Sequence, residues 1–172
     1  MVYMATVGVL VILVFWIVSV QRSFIALDEN INNAMLQINM QISSCWDMLT
    51  SLLDLTRRYV AEDYNALTDT LKSRRSLTKH SSIEDIKNQE IKINEFMEKV
   101  IAIAEANQDL KENQAFIKIM SSVNQYENMV RASRLIYNNS VKKLNRVVSM
   151  FPASLIAGML GFSKRAYLET DD

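Results

Sequence analysis

Few residues in this chain have the type and spacing that chemistry requires. The only histidine, His80, stands beside Lys79 and Ser81, and it has no cysteine, histidine or carboxylate at the spacing of a metal site. The sequence contains no glycine-rich phosphate loop, zinc-binding helix motif or nucleophile elbow. The single cysteine, Cys45, falls on an apolar helical stripe and is predicted to be a buried hydrophobic side chain. We therefore predict no catalysis, no cofactor and no metal.

Glu127 and Arg134 are the charged residues that a helical fold is most able to use. They stand one heptad apart beside the apolar seam of a predicted helix, about 10 Å apart along its axis, which is too far for direct contact. Each is expected to meet a polar group on a neighbouring helix and so to fix the register of helix packing. The alternative is that both residues line a groove for a protein partner.

A second charged feature is a basic cluster. It either contacts anionic lipid or forms a solvated helix face. A cluster of this kind on a helix is more often solvated, so the lipid contact is the weaker of the two predictions. Its members are Lys72, Arg74, Arg75 and Lys79.

The composition favours helices over other architectures. Three glycines and one proline in 172 residues are too few for the turns of a sandwich, a barrel or repeated βαβ units. Acidic and basic residues balance at 19 each, so the net charge does not attract nucleic acid. We predict an all-α fold, with an N-terminal transmembrane helix followed by a long antiparallel up-down four-helix bundle. The predicted parts are an anchor at 2–20, a bundle at 21–150, and a C-terminal apolar segment with an acidic tail at 151–172.

The predicted anchor is a run without any charged residue from Val2 to Val20. A helix of that length is about 28 Å long and matches the hydrocarbon core of a bilayer. Because the run lacks the basic start and the short apolar region of a cleaved signal peptide, an uncleaved single-pass anchor is predicted. Trp16 and Arg22 are expected at the membrane interface, and Arg22, under the positive-inside rule, places the bundle on the cytoplasmic side.

Apolar residues recur at helical spacing beyond the anchor. Ile31 to Tyr59 predicts a first helix that is continuous with the anchor and carries Asn39 on its polar side. A second, shorter helix is predicted from Asp63 to Lys79. A third is predicted from Ile83 to Glu105, with Ser82 capping its start. The inner face of the third helix is predicted to contain Ile86, Ile93, Met97, Val100, Ile101 and Ala104.

The fourth predicted helix has the clearest period, and Pro152 is expected to end it. Its apolar seam alternates three and four residues apart, as in helical bundles and coiled coils. An apolar run at 153–162 follows. It either caps the bundle or places Phe162, Lys164 and Arg165 at the bilayer surface. The seam residues are Phe116, Ile119, Val123, Tyr126, Val130, Ser133, Tyr137, Ser140, Leu144, Val147 and Phe151.

One set of residues forms a pattern that extends through the second half of the chain: Asp109, Leu110, Lys111, Asn113, Phe116, Glu127, Asn128, Arg134, Tyr137, Asn138, Phe151 and Pro152. This pattern resembles that of the LemA family of bacterial membrane proteins, and a looser match extends back to Asn33. The resemblance implies a bacterial source, an N-terminal membrane helix and an antiparallel helical bundle, in which these residues are expected to be structural. The family name brings no settled biochemical activity with it.

Several positions depart from the family pattern. Ser44 and Cys45 stand where the family usually carries a basic pair, and Thr50 and Gln108 stand where it carries prolines. A second Tyr-Asn pair is replaced by Leu144-Asn145. The chain therefore resembles a divergent member, and roles of the basic pair or of the proline turns do not carry over to it.

These observations lead to two functional hypotheses. The first is a membrane-anchored helical-bundle scaffold or interaction protein of the bacterial cell envelope, with the lipid bilayer and unidentified proteins as partners and self-association into a homo-oligomer as one option. The second is a membrane-shaping or lipid-organising protein that uses the C-terminal apolar segment. Neither hypothesis involves nucleic acid.

Overall fold

The computed structural model describes residues 2–59, 64–78 and 81–168, with side-chain surroundings from residue 3 onward. The predictions made for Asp63, Lys79, His80 and the acidic tail lie outside the described residues. Within the described ranges the chain forms helices and turns without any strand, which confirms the all-α class. The helices are α1 (Val2–Thr56), α2 (Tyr64–Lys72), α3 (Ile83–Ala106), α4 (Gln108–Lys111), α5 (Gln114–Ser149) and α6 (Ala153–Leu160).

Helix α1 joins the predicted anchor to the predicted first bundle helix without a break, as expected for a stretch that contains Gly8 but no proline. The side chains from Tyr3 to Ser19 are exposed, and the apolar ones among them have no core to cover them. Among the described residues, this helix alone is long and apolar enough to cross a membrane. The structure is therefore consistent with membrane anchoring.

The chain divides into two compact units, Met1–Ala34 with Arg134–Asp172, and Met35–Ser133, and both α1 and α5 contribute residues to each of them. The core of the second unit uses the apolar stripes of α1 and α3, and Trp46 is its largest fully buried side chain. Most of the inner-face predictions for α3 are confirmed, but Ile101 is 42% exposed. Asn39, predicted to be polar surface, is instead buried, because its amide donates to the Thr78 carbonyl at 2.7 Å.

Helix α2 ends at Lys72, seven residues before its predicted end. The Ser73 hydroxyl donates to the Thr70 carbonyl at 2.6 Å and competes with the helical bonding pattern there. The next two residues are held from outside the helix. Arg74 contacts Asp47 at 2.7 Å, and the Arg75 backbone N–H donates to Gln89 at 3.0 Å.

Helix α3 begins where the sequence predicts, because Ser82 and Asp85 form a capping box: each side chain accepts from the other residue's backbone N–H. Hydrogen bonds from the Ser82 hydroxyl and the Ser82 backbone N–H lower the pKa of the Asp85 carboxyl. A short helix, α4, starts at Gln108, directly after the Asn107 cap of α3.

Helix α5 ends at Ser149, shortly before Pro152, and the Phe151–Pro152 peptide bond is cis. Most of the predicted seam is buried or half-buried. Phe151 is the exception, because the helix has ended before it and its ring is 80% exposed. The prediction that Phe151 closes the seam is therefore wrong.

Candidate functional site

The first group of family-pattern residues forms the start of α5. The Asn113 side-chain oxygen accepts from the backbone N–H groups of Ala115 at 2.9 Å and Phe116 at 3.3 Å, and so caps the helix. Phe116 is buried directly behind this cap, whereas Asp109 and Lys111 on α4 are exposed. The arrangement orients a helix and brings no reactive groups together.

The second group lies further along α5. Glu127 and Asn128 are exposed, and Arg134 is half-buried. Burial of the Cys45 thiol raises its pKa from 9.0 to about 12, and the negative charge of Glu127 adds to this shift. Glu127 is thus close enough to α1 to act on the residue that stands in place of the family's basic pair. The register contacts predicted for Glu127 and Arg134 stay a prediction.

A group of paired hydrogen bonds lies in the unit formed by Met1–Ala34 and Arg134–Asp172. The Asn145 amide donates to the Arg165 carbonyl at 2.8 Å, and its oxygen accepts from the Arg165 backbone N–H at 2.8 Å. Asn138 repeats the pattern on Leu168, with distances of 2.7 Å to the carbonyl and 2.9 Å from the N–H. Each asparagine therefore satisfies both backbone groups of one residue, as a neighbouring β-strand would.

The spacing of these contacts shows how the C-terminal segment, residues 162–168, lies on α5. The asparagines are seven residues apart, which is about 10.5 Å along a helix. The residues that they hold are three apart, which spans about 10 Å only when the backbone is fully extended. Between Arg165 and Leu168 the backbone is therefore extended and follows α5 in the opposite direction, in a register set by the two asparagines.

Helix α1 contacts the same segment from another side. The Phe162 ring stacks on Phe24 with centroids 5.0 Å apart. The Arg165 guanidinium donates to Asp28 at 2.5 Å and to the side-chain oxygen of Asn32 at 3.2 Å. The Asn32 amide donates in turn to Asp28 at 3.0 Å, which orients the carboxylate. We call the surface formed by Phe24, Asp28, Asn32, Tyr137, Asn138 and Asn145 the cleft.

Two buried side chains, Tyr137 of the cleft and Leu168 of the segment, complete these contacts. The Tyr137 hydroxyl donates to the Ala166 carbonyl at 3.2 Å, and burial raises the pKa of this phenol. Leu168 is only 3% exposed. The segment is thus recognised mainly through its backbone, with Phe162, Arg165 and Leu168 as its side-chain anchors.

A third feature is an apolar surface on and beside α6. Ala153 and Ala157 face the core, and Phe162, which stacks on Phe24, donates its backbone N–H to the Ala157 carbonyl at 2.9 Å. Phe24 is four residues past the end of the uncharged run, about 6 Å along α1. The apolar side chains of this surface that remain exposed are Met150, Phe151, Leu155, Met159 and Leu160.

The residues predicted at the membrane interface have different surroundings. Trp16 and Arg22 are on the exposed surface of α1, and Lys164 is exposed. Phe162 and Arg165 are half-buried in their contacts with α1. The lipid contact predicted for all five residues stays a prediction.

The remaining candidates give no reactive centre. The described residues contain no cluster of histidine, cysteine and carboxylate side chains that could hold a metal, and His80 lies outside them. In the basic cluster, Lys72 pairs with Asp69 at 2.9 Å and Arg74 with Asp47. Lys72 and Arg74 are therefore each paired with a carboxylate of the same chain.

Sequence reasoning identified Tyr137 and Asn138 but missed how they are used. It considered Asn145 only as part of the Leu144-Asn145 pair that departs from the family's Tyr-Asn, although Asn138 and Asn145 share one column of α5 a heptad apart. That repeat was the available signal. The partners on α1 could not be found in the same way, because Asp28 and Arg165 are 137 positions apart.

Comparison with known proteins supports the resemblance. The family model for the LemA family matches residues 34–172, well over half of the chain. No match was found among curated proteins.

Proposed function

Because the chain belongs to the LemA family and two asparagines of α5 bind an extended polypeptide backbone, we propose that it is a membrane-anchored helical scaffold. In this role it binds protein partners at the bacterial cell envelope and catalyses no reaction. In this proposal, the binding surfaces are presented by the antiparallel bundle predicted from the heptad seam.

One observation carries the proposal. Asn138 and Asn145 each bond the N–H and the C=O of one residue in an extended segment. Two paired bonds a fixed distance apart recognise the repeat of a peptide backbone, and a small metabolite does not offer that repeat. Extended peptides are commonly bound through such main-chain contacts, with pockets for a few side chains.

Exposed apolar side chains in the Met35–Ser133 unit support the same role. Leu36 and Met40 stand one turn apart on α1 and are 47% and 59% exposed. Neighbouring apolar side chains on a water-facing helix are a common feature of protein interaction surfaces.

Photo-crosslinking in native membranes tests the scaffold role. A photoreactive side chain in place of Leu36 or Met40 is expected to give discrete protein adducts, whereas the same group in place of the exposed Asp54 is expected to give only background. The proposal is contradicted if neither apolar position gives more adduct than the Asp54 control.

We also propose that the anchor crosses the membrane once and that the helical units lie on the cytoplasmic side. An impermeant maleimide applied to intact cells tests the side with Lys142→Cys, because Lys142 is exposed on α5 and the native Cys45 is buried. The expected result is labelling only after the cells are permeabilised. Labelling of intact cells would place these units outside.

A second candidate function is lipid organisation by α6, and the exposure of its apolar side chains favours it. Leu155 is 63% and Met159 87% exposed, on a helix close to the end of the uncharged run. Apolar residues at that level are suited to insert between headgroups.

A spin label at Leu155→Cys in the full chain tests this candidate. If α6 contacts lipid, oxygen relaxes the label strongly and a water-soluble nickel chelate relaxes it weakly. Lys143→Cys, exposed on α5, is the matched control and is expected to show the reverse. Equal nickel accessibility at both sites would exclude the lipid contact.

A further inference from the structure

We propose that the cleft accepts the C-terminal segment of a second copy of this chain in exchange for its own, so that two anchored copies are joined by their segments. This inference deepens the scaffold proposal and rests on it, because it names one partner and the surface that binds it. The segment is residues 162–168, and the cleft residues are those defined above.

The cleft contacts are of a kind that another chain can make. Four bonds to Asn138 and Asn145, and a fifth from the Tyr137 hydroxyl to the Ala166 carbonyl, involve only backbone atoms of the segment. The remaining recognition comes from the Phe162 ring, the Arg165 guanidinium and the buried Leu168. A second copy carries the same three anchors at the same spacing, so every contact made within one chain is available between two. Exchange of identical elements is a low-cost route to a dimer.

The join between α6 and the segment permits this exchange. Gly161 ends α6 with φ of 77°, the left-handed region in which glycine is favoured, and a Cβ at this position would meet nothing within 4 Å. The ion pair between Arg165 and Asp28 has side chains 39% and 30% exposed, so water reaches this pair. The seven residues of the segment can extend about 24 Å, more than the roughly 10 Å between packed helices.

The membrane makes a second copy a better occupant than a soluble peptide. Copies held by the same helix have the same orientation, so the segment of one lies at the same height above the bilayer as the cleft of its neighbour. Confinement to one surface also raises the effective concentration of segments around each cleft. A soluble peptide has neither advantage.

Two distinguishable full-length copies, expressed together in membranes, test the exchange. The donor copy carries p-benzoylphenylalanine in place of the exposed Tyr167 and keeps its native cleft, so that it can take up the acceptor's segment in exchange. The acceptor copy has the native cleft and a different tag. We expect a donor–acceptor adduct that falls at least tenfold when the acceptor carries Asn138→Ala and Asn145→Ala. An acceptor with Asn139→Ala, a change at an exposed neighbour on α5, is expected to behave as the native one does.

Helix content and membrane extraction of each variant show whether the copies are folded and inserted. Absence of the adduct between folded copies would overturn the exchange, and so would an adduct that persists with the altered acceptor cleft. An adduct with a different protein in place of the second copy would also overturn it. If crosslinking at Leu36 and Met40 succeeds while the exchange fails, the scaffold proposal stands without it.

Discussion

The Cys45 thiol links the stability of the chain to pH through a single buried group. Its pKa is 9.0 when unperturbed and about 12 in the fold. Above pH 9 the unfolded chain loses this proton while the folded chain keeps it, so stability decreases as pH rises. The contribution of the protonated thiol to the free energy of unfolding is complete below pH 9. Above pH 9 it is lost at up to about 1.4 kcal/mol per pH unit.

The change that tests this link is Cys45→Ala. Between pH 8 and pH 10.5, thermal unfolding followed by circular dichroism in detergent should show a larger fall in melting temperature for the native chain than for the variant. Lysine and tyrosine titrations affect both proteins equally. Parallel pH curves would show that the thiol is not protected by the fold.

Residue-scale prediction from the sequence succeeded where the surroundings follow from a local pattern. Cys45 lies on an apolar stripe, and the prediction that it is buried is confirmed. The prediction for Asn39 was wrong, because this buried amide is bonded to the Thr78 carbonyl, 39 positions away. Helical periodicity reports which side of a helix a residue occupies, and it cannot report a distant polar partner that makes burial of an amide acceptable.

At the scale of one helix, the start of α5 depends on Asn113. Replacing it with alanine removes the acceptor for the N–H groups of Ala115 and Phe116, and loss of such a cap costs about 1 kcal/mol. Asn113→Ala should therefore lower the thermal midpoint measured by circular dichroism. Gln114→Ala, at the exposed neighbouring position, is expected to leave it nearly unchanged. Equal midpoints for the two variants would show that the cap contributes nothing.

The attachment of the C-terminal segment can be measured by proteolysis. Asn145→Ala removes two hydrogen bonds to Arg165, worth about 2 kcal/mol together, so the segment should open roughly thirtyfold more often. Trypsin cleavage after Arg165 in the detergent-solubilised chain should accelerate accordingly, while Asn139→Ala retains the native rate. Equal rates in all three proteins would mean that the asparagine does not hold the segment.

The helices were largely predictable as elements, and their ends were less so. A stripe without glycine or proline from Ile31 to Tyr59 predicted the second half of α1, and Ser82 with Asp85 predicted the start of α3. The end of α2 was placed too late, because Ser73 and the contacts of Arg74 and Arg75 override a sequence that continues to favour helix. The C-terminal segment has no period of its own, so only its neighbours on α1 and α5 determine its shape.

For the whole molecule, the anchor depends on the uncharged run at the start of α1. An arginine at the centre of a membrane helix costs about 2.5 to 3.5 kcal/mol, so Val9→Arg with Ile12→Arg should cost about 6 kcal/mol. We expect this double variant to be released from membranes by alkaline carbonate. Val9→Leu with Ile12→Leu should stay in the pellet. Retention of the arginine variant would indicate that other parts of the chain hold it to the membrane.

Whole-molecule prediction was limited by contacts between distant parts of the chain. Composition and periodicity indicated an all-α protein with an apolar N-terminal helix, and the described residues agree. They did not indicate the cleft, which is formed by α1 and α5 and holds residues 162–168. The apolar surface of α6 was predicted only as a choice between lipid contact and capping of the bundle. Its buried alanines support capping of the bundle, and its exposed leucines and methionines support lipid contact.

Seven residues of α5 span the same distance as three residues of the extended segment. This match has an evolutionary consequence. Since both asparagines bind main-chain atoms, the side chains between Arg165 and Leu168 are free to diverge in sequence. The number of residues between Arg165 and Leu168, however, cannot change. One codon inserted there would move every later carbonyl out of reach of Asn138, so relatives with the same cleft should vary in the identity of these residues and keep their count.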